Sequence, residues 1–371
     1  MIANETGTAK SKSDLTVSYN KLGNICQSRG DLKGAEKYYL KMSELSEVIA
    51  QEIVTVYSRR SLSISYEKLG NIRSSLGDLD SAEKYYLKAL KISEELTSET
   101  GTVESRRDLS VSYDKLGSIS NSRGDISSAE KFYLKSLEIS EAIARETATV
   151  ESKRDLLISY DQLGDICISR DDLDSAEKYY LKMLEIAEAI ARETKTVESM
   201  GDLSASYNNL ANIRKSRNDL DGAAKYHFKA LDISEKIASE TSTVEARRNL
   251  SIDYENLGNI CYSRDDFDGA KNYYLKALEI SEMIARETGT VEADDDLAQS
   301  YYKLSLVSSD EKIDYLQKSY GIWVRLAEHS PDFQRYTKQR DLVAAELQKS
   351  SASHSSPVKS FFAKLFNRLK K

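Results

Sequence analysis

Three cysteines, three histidines and one run of aspartates are the residues of this chain with the most evident chemistry to offer. Thiols and imidazoles brought together hold zinc, and alternating carboxylates hold calcium. Cys26, Cys167 and Cys261, however, recur at one slot of a repeating pattern, in its first, fourth and sixth copies. Stacked copies keep them apart, so no shared metal or disulfide is expected, and the slot reads as a small apolar one. His227 stands where other copies carry Tyr39, Tyr86 and Tyr180, while His329 and His354 fall in unrelated segments. Asp294, Asp295 and Asp296 lack the alternating ligands and central glycine of a calcium loop. They lie at a helix start, where carboxylates are favourable. No phosphate-cradling glycine loop and no nucleophile–base signature occurs. Neither catalysis, nor a metal, nor a cofactor is expected.

The elements that would position any other chemistry are helices. Of the 371 residues, 40% are hydrophobic and 30% charged, and the two prolines stand at Pro331 and Pro357. Residues 1–330 therefore contain no proline to break a helix. No basic-then-apolar leader and no apolar run of roughly 18 residues is found, which points away from secretion and from a membrane span. An odd number of widely spaced cysteines suits a reducing compartment, and the expected address is the cytoplasm. The net charge is −7, although the last stretch carries Lys359, Lys364, Arg368, Lys370 and Lys371 with no acid. The body is thus more acidic than the whole, and nucleic acid is not an expected partner.

One period dominates the chain. DLTVSYNKLGNI begins at Asp14, SLSISYEKLGNI at Ser61 and DLSVSYDKLGSI at Asp108, each 47 residues after the last. Further copies begin at Asp155, Asp202 and Asn249, with a worn one at Asp296. A regular period of this length signifies stacked supersecondary units. In the second copy Leu62, Tyr66, Leu69 and Ile72 mark one amphipathic helix, and Leu79, Ala82, Tyr86, Ala89 and Leu90 a second. Between the stripes lies SRGD at 28–31 and again at 122–125, reading elsewhere LGD, RDD or RND. Its third residue is Gly30, Gly77, Gly124, Asp171, Asn218 or Asp265, types that tolerate a left-handed backbone after a helix. Its fourth is always Asp, able to cap the next helix. The motif is therefore a helix corner rather than an adhesion signal. The other corner, ETGTVESRR at 99–107, offers Thr102 as a cap, and short corners leave about 20 residues per helix.

The pattern Tyr66, Leu69, Gly70, Gly77, Ala82, Tyr86 and Ala89 resembles the tetratricopeptide repeat, here lengthened and without its usual proline. The stretches YNNLANI (207–213) and AEKYYLKALKISE (82–94) look most like the kinesin-light-chain branch of that family. The resemblance implies an all-α fold: a right-handed α-α superhelix of seven 47-residue hairpins over residues 5–326, with first helices starting near 14, 61, 108, 155, 202, 249 and 296. A capping helix over 331–349 is expected to cover the last apolar face.

The resemblance also implies that first helices line a concave groove, at the residues one and five after each Tyr. The first column reads Asn20, Glu67, Asp114, Asp161, Asn208 and Glu255; the second includes Asn24, Asn71, Asp165, Asn212 and Asn259. One turn further come Asn121 and Tyr262. Asparagine offers a donor and an acceptor together, so such a ladder could pair with a peptide backbone. The carboxylates favour a protein or peptide partner with basic or polar character. Solvated helix positions are polar in any case, and that reading stands beside the first. A purely structural, self-assembling array is the alternative function.

Beyond a linker at 350–356, the segment 357–371 places Phe361, Phe362, Leu365, Phe366 and Leu369 on one helical face, with Lys359, Lys364 and Arg368 on others. That composition suits attachment to an anionic membrane surface. Docking on protein, including this chain's own acidic groove, and a free soluble end are the other two readings.

Overall fold

Threonine and aspartate caps decide where the helices begin. The computed structural model describes residues 9–329 and 334–352, and its elements are all helices joined by short corners. The first helices of the seven repeats are Ala9–Ser28, Val56–Ser75, Val103–Ser122, Val150–Ser169, Val197–Ser216, Val244–Ser263 and Val291–Val307. Their partners are Leu32–Glu52, Leu79–Thr100, Ile126–Thr147, Leu173–Thr194, Leu220–Thr241, Phe267–Thr288 and Lys312–His329. All seven first helices start ahead of the positions near 14, 61, 108, 155, 202, 249 and 296 that the apolar stripe suggests. Thr55, Thr102, Thr149, Thr196, Thr243 and Thr290 each accept the backbone N–H three residues on, which sets the start at the following valine. Gln334–Ala352 closes the array, so the expected capping helix runs on into the expected linker.

The SRGD corner behaves as its composition requires. Gly30, Gly77 and Gly124 take φ near +75 to +81°, and Asp171, Asn218 and Asp265 adopt the same left-handed region. The aspartate that follows caps the second helix: Asp78 accepts from the Ser81 N–H and Asp125 from the Ser128 N–H. At the other corner the left-handed residue is Gly101 or Gly289 in two repeats, but Ala148, Lys195 and Ser242 in others. Those three carry a backbone strain that glycine would not.

The chain forms two compact units, residues 1–186 and 187–371. Within the units a hairpin packs its two helices together and sets its second helix against the next first helix, as Val103–Ser122 packs on Ile126–Thr147 and that on Val150–Ser169. The hairpin interior turns on one contact. A Cβ built on Gly117 would lie 2.6 Å from the Tyr133 ring, and Gly23, Gly70, Gly164 and Gly258 meet Tyr39, Tyr86, Tyr180 and Tyr274 in the same way. Glycine lets the helices approach until the ring lies on backbone. The fifth repeat departs, pairing Ala211 with His227 at the same register, both buried, and the seventh carries Ser305 in the glycine slot.

Neighbouring repeats are joined by a second tyrosine. In the first unit Tyr66, Tyr113 and Tyr160 donate to Glu47, Glu94 and Glu141 of the preceding second helix at 2.7, 3.1 and 2.9 Å. Tyr207, Tyr254 and Tyr301 do the same to Glu188, Glu235 and Glu282 in the second. Each of these rings carries an aromatic neighbour and a lysine ammonium, as in Tyr113 with Phe132 and Lys135. Buried serines tie the same seam: Ser93 Oγ lies 3.3 Å from Ser63 and 3.2 Å from Ser112.

The last helix covers an apolar end. Tyr336, Val343 and Leu347 are buried in one cluster with Trp323, Leu316 and Leu326. The aspartate run is absorbed here. Asp295 accepts from the Trp323 indole N–H at 3.0 Å and pairs with Arg335 at 2.8 Å. Asp294 and Asp296 pair with Arg325 and Arg248.

Gly117→Ala should lower the denaturation midpoint by an amount equivalent to roughly 1–3 kcal/mol through overpacking against Tyr133. Adding Tyr133→His should recover part of that loss, because it reproduces the Ala–His pair of the fifth repeat. Urea melts of the single and double variants check both.

Candidate functional site

The residues expected to line a groove lie on first helices, so helix geometry decides what each column faces. Residues three or four apart share a face, whereas neighbours in sequence do not. Counting from the seam tyrosine Tyr66, Glu67 faces the next repeat, Gly70 faces Tyr86, and Asn71 stands at the edge of that contact.

The second column is tied to its own hairpin. Asn24, Asn71 and Asn259 each accept a hydrogen bond from Tyr39, Tyr86 and Tyr274 through their side-chain oxygens at 2.7, 2.8 and 2.8 Å. Asp165 accepts from Tyr180 at 2.7 Å. The recurring asparagine therefore has a structural partner, the hydroxyl of the tyrosine that lies on the preceding glycine. Among the described residues the amide nitrogens of Asn24, Asn71 and Asn259 remain without a hydrogen bond, on the outer side of that contact. Asn212 is exposed, and no tyrosine occupies position 227 to engage it. Asn121 and Tyr262 are also exposed; Tyr262 stacks edge-on with Phe267, with centroids 5.7 Å apart.

The first column lies half-buried in the seams between first helices. Burial, with the Asp108 charge adding to it, pushes the Glu67 carboxyl up to about 7. Burial likewise raises Asp114 to about 6. Glu255 accepts from Ser300 at 3.0 Å and from Lys303 at 2.5 Å. Asn208 Nδ2 donates to Asp253 at 2.7 Å, and Asn208 Oδ1 accepts from His227 Nδ1 at 2.8 Å. His227 is buried, and desolvation, helped by the Lys215 charge, lowers its pKa to about 4. Asn20 and Asp161 are half-buried in the first unit.

Arginines bracket this face. Arg60 reaches Glu104 and Asp108 of the following repeat, Arg107 reaches Glu151 and Asp155, and Arg248 reaches Asp296.

One feature of this face escapes the two-column reading. Val17, Ile158 and Ile252 are 47%, 53% and 47% exposed, two residues before the seam tyrosines. Ala205 is also exposed there, and Ile64 and Val111 are half-buried. The signal was available, since an aliphatic residue occupies that slot in six consecutive repeats. It falls off the core stripe of Leu62, Tyr66, Leu69 and Ile72 and lies beside the carboxylates instead.

Cys26, Cys167 and Cys261 are free thiols, and burial raises Cys167 and Cys261. Among the described residues no cluster of His, Cys, Asp or Glu could hold a metal, and no helix is long and apolar enough to cross a membrane. The expected amphipathic tail, 357–371, lies outside the described residues.

Glu67 and Asp114 hold their protons more tightly in the folded chain than in the unfolded one. Each favours folding below its ordinary pKa and loses that contribution as pH rises towards about 7 and about 6. Stability should therefore fall between pH 5 and 7, and Glu67→Gln with Asp114→Asn should flatten that slope in thermal melts.

Models of the tetratricopeptide repeat match residues 17–48, 64–96, 111–143, 158–190 and 254–282, with a second model of the same repeat matching 203–241. None of the curated proteins matches the sequence. Among solved structures, BtubC (BKLC) from P. vanneervenii is similar at 22% identity and TM-score 0.55, covering 68% of this chain and 92% of that one. The quorum sensor NprR from B. thuringiensis, in its apo form, aligns at 15% identity and TM-score 0.53, over 90% of this chain and 87% of that one. Apo RapI aligns at 15% identity and TM-score 0.52, over 79% and 99%. With paired helices, a glycine under each hairpin tyrosine and these matches in register, the chain belongs to the tetratricopeptide repeat family.

Proposed function

We propose that the chain is a non-catalytic scaffold whose exposed first-helix faces hold peptide segments of partner proteins. The observation that carries this reading is an aliphatic slot left at about half exposure beside half-buried carboxylates within each unit, at Val17 and Ile158 in the first and at Ile252 in the second. A lone exposed aliphatic residue is unremarkable on any surface. A column of them, repeated in register and flanked by acids, suits an extended segment that alternates apolar with basic or polar side chains. The free amide nitrogens of Asn71 and Asn259, with the whole amide of Asn212, add donors for its backbone.

The basic segment 357–371 has the composition either to hold the scaffold at an anionic membrane or to compete for the same face. Sedimentation of the full chain with phosphatidylserine vesicles separates the two, since a tail engaged by its own repeats leaves the vesicles in the pellet alone.

Peptides selected by display on the full chain should be rich in Lys or Arg interleaved with aliphatic residues. Ile158→Glu with Ile252→Glu should weaken their binding by roughly tenfold or more, the scale of a lost apolar anchor or two. Phe228→Glu, on a second helix, should leave it unchanged. Equal loss in both variants, or selection of no peptide with concentration-dependent light scattering instead, would favour the self-assembling array.

A further inference from the structure

The junction between the fifth and sixth repeats breaks the pattern at four coordinated positions. At three other junctions an arginine of one repeat pairs with an aspartate of the next, Arg60 with Asp108, Arg107 with Asp155 and Arg248 with Asp296, whereas the first junction carries Ser13 and Ser61 in those places. Here the two places hold Gly201 and Asn249. After the second, third, fourth and sixth repeats the first column carries an acid and the opposite slot a serine, as Glu255 faces Ser300. Here the order is reversed, and Asn208 faces Asp253.

The reversal moves a carboxylate inward. Asp253 is 1% exposed, and its two oxygens accept from Asn208 Nδ2 at 2.7 Å and from Ser234 Oγ at 2.5 Å. Two neutral donors hold it, and among the described residues no ammonium or guanidinium pairs with it. These four slots sum to one negative charge here, as they do after the second, third, fourth and sixth repeats, but here the charge sits on a fully buried carboxylate that no cation among the described residues meets.

The missing arginine leaves room. A cavity of about 150 Å³ is lined by Gly201, Ser204, Asn208, Ser234, Ile252 and Asp253, among others. At the next junction, where Arg248 lines the equivalent place, the cavity measures about 30 Å³. A Cβ on Gly201 would meet nothing within 4 Å. The larger space is enough for one benzene-sized group, and its mouth opens on the exposed face that carries Ala205 and Ile252.

We propose that this cavity is a binding pocket for a single small organic cation, an alkylguanidinium or alkylammonium, with Asp253 as its counter-ion. The bound cation occupies the place that an arginine of the chain itself fills at other junctions. Its planar fork meets the carboxylate and the Ser204 and Ser234 hydroxyls, and its alkyl stem lies against Ile252 and Ala205. The group arrives either as a free amine or as an Arg or Lys side chain of a segment on the first-helix face. The second source rests on the peptide reading above; the first does not.

The test uses the full chain with isoleucine methyl groups labelled for NMR and N-ethylguanidinium as the probe. The Ile252 and Ile237 methyl signals should shift saturably at millimolar probe, while N-ethylurea, its neutral counterpart, leaves them in place. Asp253→Ser and Gly201→Arg install the residues that other repeats carry, so both should keep a dispersed, folded spectrum. Asp253→Ser should weaken the response by roughly tenfold or more through loss of the charged partner. Gly201→Arg should abolish it by supplying an internal cation. No shift with the wild type, an equal shift with the urea, or an undiminished response in both variants would overturn the pocket. A response to ethylguanidinium but none to an arginine-containing peptide selected on the scaffold would retain the pocket and reject the peptide as its source.

Discussion

The fold depends on a tyrosine ring lying on a glycine of the neighbouring helix. In Gly70 and Tyr86 the absence of a Cβ lets one helix settle on the face of an aromatic ring, and the ring's reach then sets where its hydroxyl emerges. It emerges beside Asn71, the next residue, which accepts its proton at 2.8 Å. The adjacent Gly and Asn of the recurring Leu-Gly-Asn thus have one joint reason: the first admits the ring, and the second satisfies the hydroxyl that burial would otherwise strand. The fifth repeat supports this account from the other side. When the ring shrinks to His227, the glycine becomes Ala211, and the imidazole, set back from Asn212, pairs with Asn208.

This contact explains how much could be read in the sequence. The period, the paired helices and the SRGD corner were all legible, because each depends on residues near one another in the chain. Gly77 with Asp78 states both the end of one helix and the start of the next. The columns were less legible. Asn24 and Asn20 are both polar and both repeat every 47 residues, yet one meets a hydroxyl from the facing helix and the other lies in the seam. Periodicity reports which residues share a face, not which of two polar faces meets a partner helix. The mediocre helix propensity of asparagine was a sound clue that something holds it. The holder is Tyr39, fifteen residues on in another helix, a distance over which no local pattern speaks. The aliphatic column was missed for a related reason. Ile158 repeats with Ile252 and Val17 as faithfully as the core does, so it could be taken for spacing noise on a stripe that buries Leu163 and Tyr160 instead.

The seams between repeats are more polar than hydrophobic stacking alone would make them. Tyr113 reaches Glu94, Ser93 bridges Ser63 and Ser112, and arginines cross to the carboxylates of the next hairpin. Exposed ion pairs contribute little each, and the apolar contacts between helices supply most of the stability. What the polar groups add is register. A hairpin shifted by one turn would still bury leucine against leucine, but it would strand a tyrosine hydroxyl and several serines without acceptors. Such stranded groups cost more than their hydrogen bonds contribute, which makes the seam specific rather than merely adhesive.

A near-identical array makes its own exceptions readable, because each repeat serves as the control for the next. Random drift in a stacked solenoid should remove one member of a pair and leave the other exposed to repulsion or burial. At the junction of the fifth and sixth repeats the changes instead come matched. Arginine and aspartate both disappear, as Gly201 and Asn249, and acid and serine exchange places, as Asn208 and Asp253. The outcome is less stable than the alternative that its neighbours display, since a carboxylate stripped of water without a cation costs several kcal/mol and a buried serine does not. Folding stability alone would favour the neighbours' arrangement. A coordinated change towards the costlier one, beside a cavity that the same change enlarges, is the pattern expected where binding rather than folding decides the residues.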